Sequence, residues 1–236
     1  ASLEALEALY DETQAWGDLE GVLQVRLELT QAPPERQARL LRLARLQERE
    51  LCSPSDAIGT YALILRIDVA QPDAVAALER LLSDPKCEAL VAPILEPTYR
   101  ATGNWQGLLK VYPVLYAGTE DPSERVGYCR AMAVLLEDLV KSPRRAFETW
   151  VDALRCDPSS KEVRGHLVRL AVGLEADGPL IDYLREHAGL GASSEIIRDI
   201  HVQLAAGHES AGDLARATKA YEEAKRVASA DPGILK

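Results

Sequence analysis

The chain has 236 residues, 47% of them hydrophobic, with 37 acidic against 27 basic side chains and a net charge of −10. Such an acidic balance argues against nucleic acid as a partner, because phosphate binding needs clustered Lys and Arg. No apolar run is long enough for a membrane span, which takes about 18 residues.

Cys52, Cys87, Cys129 and Cys156 are too scattered for a CxxC or zinc pattern. They read as free, buried or half-buried thiols in a reducing, cytoplasmic compartment. Lys is rare against Arg, and there is one Asn and one Phe, a bias that points to a GC-rich bacterial genome. No leader peptide is visible, and "ASLEALEALY" already carries helical periodicity, as a piece of a longer repeat protein would.

In chain order, apolar spacing and Pro/Gly punctuation predict about thirteen helices, with no stretch of strand-like alternation. They fall near 3–14, 18–30, 34–50, 54–67, 73–82, 86–103 and 105–117, then 122–140, 143–156, 160–175, 178–188, 193–209 and 213–228. "SPSDAI" and "KSPRRA" place Ser before a Pro that opens a helix. Pro93, Pro97 and Pro113 fall inside helices, where kinks or breaks are expected.

The chain also repeats itself. Shifted by 89 positions, Leu6, Tyr10, Thr13, Trp16, Leu19 and Val22 meet Leu95, Tyr99, Thr102, Trp105, Leu108 and Val111. Ser53, Pro54, Ala57 and Thr60 meet Ser142, Pro143, Ala146 and Thr149, and Leu78, Arg80 and Leu81 meet Leu167, Arg169 and Leu170. About 25 of roughly 76 aligned positions are identical without a gap. A shorter third copy follows at an offset of 71, where Gly107, Leu109, Tyr112 and Gly118 meet Gly178, Leu180, Tyr183 and Gly189. The copies span about 3–82, 86–175 and 178–232, and in the third a single helix stands in for two.

Short loops between helices with one apolar face predict stacked antiparallel pairs, hence one continuous α-solenoid over residues 1–236. In that frame Tyr10 and Trp16, and again Tyr99 and Trp105, wedge the turn between two paired helices.

These residues resemble the tetratricopeptide repeats. Ala146, Trp150, Ala153 and Pro158 carry the small–aromatic–small–Pro spacing of that family's second helix, and Gly212, Asp213, Leu214, Ala217, Tyr221 and Ala224 carry it again. Pro232 follows three residues late. Leu6 and Tyr10, and Leu95 and Tyr99, fit the first helix, whose early Trp and central Gly are missing here. The resemblance implies a right-handed solenoid that binds other proteins. The Asn and Lys pairs with which some members clamp chaperone tails are absent, Asn104 being the single Asn.

Signs of chemistry are few. His166, His187, His201 and His208 form no HExxH, and there is neither a glycine-rich phosphate loop nor GxSxG. His201 and His208 share a helical face without an evident third ligand, so no metal, cofactor or catalytic residue is expected. One row of charge stands out. Arg36, Arg39, Arg42, Arg45 and Arg49 lie on one helix, and at 100° per residue the last three fall within about 60° of each other. The second copy has Ala131, Val134 and Asp138 in their places, so the scaffold does not require them. Arg39, Arg42, Arg45 and Arg49 are the candidate contacts for an acidic partner segment or a lipid head group, against the plainer reading of a solvated face. The expected function is a non-enzymatic scaffold within a larger bacterial assembly. The alternative is a regulatory module whose groove takes a peptide or small ligand and controls a linked domain.

Overall fold

The computed structural model describes residues 2–186 and 194–230. His187, Gly189 and Pro232, the end of the helix expected at 178–188 and the close of the third copy lie outside the described residues. Thirteen α-helices and no strand occur among the described residues. They are α1 (Leu3–Glu12), α2 (Trp16–Leu29), α3 (Pro33–Arg49), α4 (Pro54–Ile67), α5 (Pro72–Leu82), α6 (Glu88–Thr102) and α7 (Trp105–Gly118). Then follow α8 (Pro122–Asp138), α9 (Pro143–Cys156), α10 (Lys161–Leu174), α11 (Asp177–Glu186), α12 (Ser194–Ser210) and α13 (Leu214–Ala230). Where the residues on both sides of a helix end are described, the sequence places that end within two residues of these bounds.

The chain divides into two compact units, Ala1–Gly118 and Thr119–Lys236. The division falls between α7 and α8, inside the second internal copy and not at a copy boundary. In the first unit each helix lies against its neighbour in the chain, and α4 also reaches α6. In the second, α8 packs on α9, α9 on α10, α10 on both α11 and α12, and α12 on α13. The interior is built from Leu19, Leu23, Leu40, Ala44, Ala57, Tyr61, Ile64, Leu78, Leu95 and Tyr99 in the first unit. Trp150, Ala146, Ala153, Leu167, Leu180, Ile200 and Leu204 fill the second.

The turns within helix pairs share one backbone device. A residue in the left-handed region ends the first helix, at Gln14, Cys52, Gly103, Lys141, Glu175 and Gly212. After Gln14, Gly103, Glu175 and Gly212 the next amide reaches back five residues, as in Ala15 N–H to the Tyr10 carbonyl (2.9 Å) and Asn104 N–H to that of Tyr99 (2.9 Å), the Schellman closure, which satisfies the carbonyls that a helix end leaves open. After Cys52 and Lys141 it reaches back six, Ser53 N–H to the Gln47 carbonyl (2.8 Å) and Ser142 N–H to that of Leu136 (2.9 Å). Gln14 and Gly103 are 89 apart, as are Cys52 and Lys141, and Lys141 and Gly212 are 71 apart. The internal copies are therefore copies of backbone conformation as well as of side chains.

A second device ties three helices together in each unit. Glu48 on α3 accepts from the Tyr61 hydroxyl of α4 (2.9 Å) and from Arg80 of α5 (2.5 Å). Glu137 on α8 accepts from Trp150 Nε1–H of α9 (3.1 Å) and from Arg169 of α10 (2.5 Å). Glu48 and Glu137 are largely buried, so each carboxylate has its two donors in a setting of reduced dielectric. Burial, and then the Glu48 carboxylate, push the Tyr61 hydroxyl above its ordinary pKa. In the second unit His166 adds a stacked ring over Trp150, with centroids 4.2 Å apart. Its counterpart in the first unit is Ala77.

The shortened third copy has a structural explanation. By side-chain identity α10 matches α5, since Leu167, Arg169 and Leu170 align with Leu78, Arg80 and Leu81. By its turn it matches α6: Glu175 is left-handed and Ala176 N–H reaches Ala171, as Gly103 and Asn104 do after α6. One helix thus makes the arginine contact of α5 and the paired turn of α6.

Of the kinks or breaks expected at these prolines, the breaks do not occur: α6 runs through Pro93 and Pro97, and α7 through Pro113. Each proline removes one amide donor, and the neighbours packed on α6 and α7 hold the helices across those losses.

Two stability measurements follow from these devices. Glu137→Ala strands the indole N–H of a fully buried Trp150 and should cost about 1–3 kcal/mol, whereas Glu137→Gln keeps an acceptor and should cost less. Urea melts of both variants check the order. Lys141→Gly relieves a side chain held at φ 56° and should stabilise by about 0.5–1 kcal/mol, while Gly103→Ala should destabilise by a similar amount.

Candidate functional site

The arginine row on α3 is largely engaged with the protein itself. Arg39 donates to the Thr30 hydroxyl and to the Arg26 carbonyl at the end of α2. Arg42 pairs with Glu7 and with Asp11 of α1 (3.0 Å). Arg45 pairs with Asp73 of α5 (3.1 Å). Arg49 is exposed at the last turn of α3. On the same helix Leu40 and Ala44 are buried, and Leu51 just beyond it is half-buried. Glu7 is the buried hub of this corner, holding Arg26 of α2 and Arg42 of α3 together. Arg42 and Arg45 keep roughly half of their side-chain surface exposed (45% and 48%), so they retain a face toward solvent while paired.

The two Tyr–Trp spacings are not equivalent in space. Tyr99 is buried, with its hydroxyl donated to Glu79 (2.9 Å). A side chain at Gly107 would meet the Tyr99 ring at 2.6 Å, so α6 and α7 approach closely only because that residue is glycine. Asp18 occupies the matching place in the first copy, and Tyr10 there is half-buried. Trp16 and Trp105 open α2 and α7 and are both half-buried. Asn104 accepts from Gly107 N–H (3.0 Å) and so caps α7.

The histidines gather in the second unit. His208 is buried on α12 and bonds to Asp177 at the start of α11 (2.5 Å). His201 is also buried on α12 and faces a cavity of about 350 Å³. Ile181 of α11, Leu204 of α12 and Ala220 of α13 supply apolar lining, and Arg216, Lys219 and Arg226 of α13 supply charge. Among the described residues no three His, Cys, Asp or Glu side chains gather as metal ligands do. None of the described helices is long and apolar enough to cross a membrane.

No protein-family model matches the chain, and no curated protein matches it either.

Sequence reading missed this cavity. Its lining comes from three helices spread over Asp177 to Arg226, and no contiguous motif marks it. Sequence reading also missed Glu48 and Glu137, although their identity at the 89-residue offset was a signal.

The four thiols are free and differ in exposure. Cys52 is exposed on the α3–α4 turn, contrary to the buried or half-buried setting expected, because it is the left-handed residue of that turn. Cys156 is half-buried, and Cys87 and Cys129 are buried. Burial pushes the Cys87 thiol up, and pushes Cys129 up to about 12. The thiolate is the reactive form. An aromatic disulfide reagent at pH 8 should therefore modify Cys52 promptly and Cys129 only once denaturant is added, as peptide mapping would show.

Proposed function

We propose that the chain is a tetratricopeptide-like interaction module, its helix pairs stacked in a right-handed solenoid, serving as a non-enzymatic scaffold in a larger bacterial assembly in the cytoplasm. The observation that carries this reading is a contrast between inside and outside. The inner contacts repeat between copies: Glu48, Tyr61 and Arg80 match Glu137, Trp150 and Arg169 in role. The outward part of the α3 row does not repeat, since Arg45 and Arg49 give way to Val134 and Asp138. A fold that keeps its interior and varies its surface is suited to holding different partners at different places.

The α3 row is the surface we assign to an acidic partner segment. Arg42 also holds α1, so the test spares it. Arg45→Glu with Arg49→Glu should release a captured acidic partner while shifting the melt little, because exposed ion pairs contribute about 0–1 kcal/mol. Retention should fall as salt rises. If affinity capture from a bacterial lysate retains no protein above the control, or retains it equally with the double variant, the reading of this surface fails.

A further inference from the structure

The cavity between α11, α12 and α13 is set in a surplus of negative charge. Asp177, Asp182 and Glu223 line it together with Arg216, Lys219 and Arg226. Arg226 is drawn to Glu223 (2.7 Å), and Arg216 to two carboxylates outside the lining, Glu175 (3.0 Å) and Asp213 (3.3 Å). With those two added to the three of the lining, five carboxylates face three cations, and the balance stays negative even with His208 protonated. One of the carboxylates is only half engaged. Asp177 Oδ2 holds the His208 ring nitrogen (2.5 Å), while Asp177 Oδ1 is buried and meets no hydrogen-bond donor among the described residues. A carboxylate oxygen kept from bulk water without a donor is costly.

The rest of the lining is apolar or small. Ile181, Leu204 and Ala220 are buried and give the cavity an apolar side, and nothing lies within 4 Å of where a side chain at Gly178 would sit. Space of about 350 Å³, with apolar walls and a few placed polar groups, is the usual form of a small-molecule site.

We propose that this cavity binds a small primary amine with an apolar body, as its ammonium ion. The ammonium would donate to Asp177 Oδ1, and the body would lie over Ile181, Leu204 and Ala220, beside the His201 ring. An ammonium has three donors and no acceptor. It supplies the hydrogen that Asp177 Oδ1 lacks, and its charge offsets the surplus of carboxylates around the cavity. A neutral alcohol would do only the first, and a carboxylate neither. The cavity lies in the second unit and the α3 row in the first, so this binding does not depend on a protein partner.

The test titrates the chain at neutral pH with hexylamine and phenethylamine to about 10 mM, following heat and the imidazole proton resonances of the histidines. Methylamine, hexanol and hexanoate are the comparisons. Saturable binding of hexylamine or phenethylamine is expected, with methylamine and hexanol at least ten-fold weaker and hexanoate not bound. The resonances of His208, bonded to the same carboxylate, and of His201, on the cavity wall, should move, and that of His166, stacked on Trp150, should not. Asp177→Asn should weaken binding at least ten-fold. Gly178→Leu should do the same by filling the cavity, while the Asp177–His208 bond and the unliganded melt stay as they are, because the added side chain enters open space. This second variant separates loss of the site from loss of the fold. The proposal is overturned if neither amine binds, if hexanol or hexanoate binds as well as hexylamine, if neither His201 nor His208 moves, or if either variant binds as the parent does.

Discussion

A largely buried carboxylate near the end of one helix, holding an aromatic donor from the next helix and an arginine from the helix after that, underlies both units of this protein. Glu48 and Glu137 do the same work 89 residues apart. A buried carboxylate without donors would be costly, so the three helices must arrive together for any of them to be well placed. The aromatic ring fills the space between paired helices, and its polar edge is bonded to the same carboxylate. Tyr61 and Trp150 differ in shape and in donor atom, yet each delivers one hydrogen to that position. Packing and hydrogen bonding are thereby coupled at one point per unit.

Around that point the two units vary. The second adds His166 over Trp150, where the first has Ala77. The first builds a further hub at Glu7, whose partners Arg26 and Arg42 become Leu115 and Ala131 one copy later. The arginine row on α3 therefore has a structural side and an outward side. Arg42 closes the corner between α1 and α3, Arg45 reaches α5, and Arg49 faces solvent. Charge that the repeat does not demand has been used first for local ties, and what remains exposed is available to a partner.

The third copy shows how a repeat can lose a helix without losing its plan. Because α10 keeps the residues of α5 along its length and the turn of α6 at its end, the contacts on both sides of the missing helix survive. The α12–α13 pair that follows keeps Ala217 and Ala224 buried, but Tyr221 is exposed and only weakly bonded to Glu209 (3.4 Å). Among the described residues this pair shows only the aromatic part of the carboxylate tie. In that neighbourhood lie the 350 Å³ cavity and the buried His201 and His208.

Helix number, helix bounds and the internal copies were legible from residue order, because periodicity and Pro/Gly placement act over a few residues and need no partner. Pro54 and Pro143 mark helix starts in any context. The same locality explains the misjudged prolines: Pro93, Pro97 and Pro113 disfavour a helix in isolation, and packing from other helices outweighs them. It also explains Tyr10 and Tyr99, alike in sequence and unlike in burial, since the difference rests on Asp18 against Gly107 on the facing helix. Which arginines pair inward and where space is left between α11, α12 and α13 depend on distances between residues far apart in the chain. Coulomb attraction and close packing act through space, and one-dimensional order carries no measure of it.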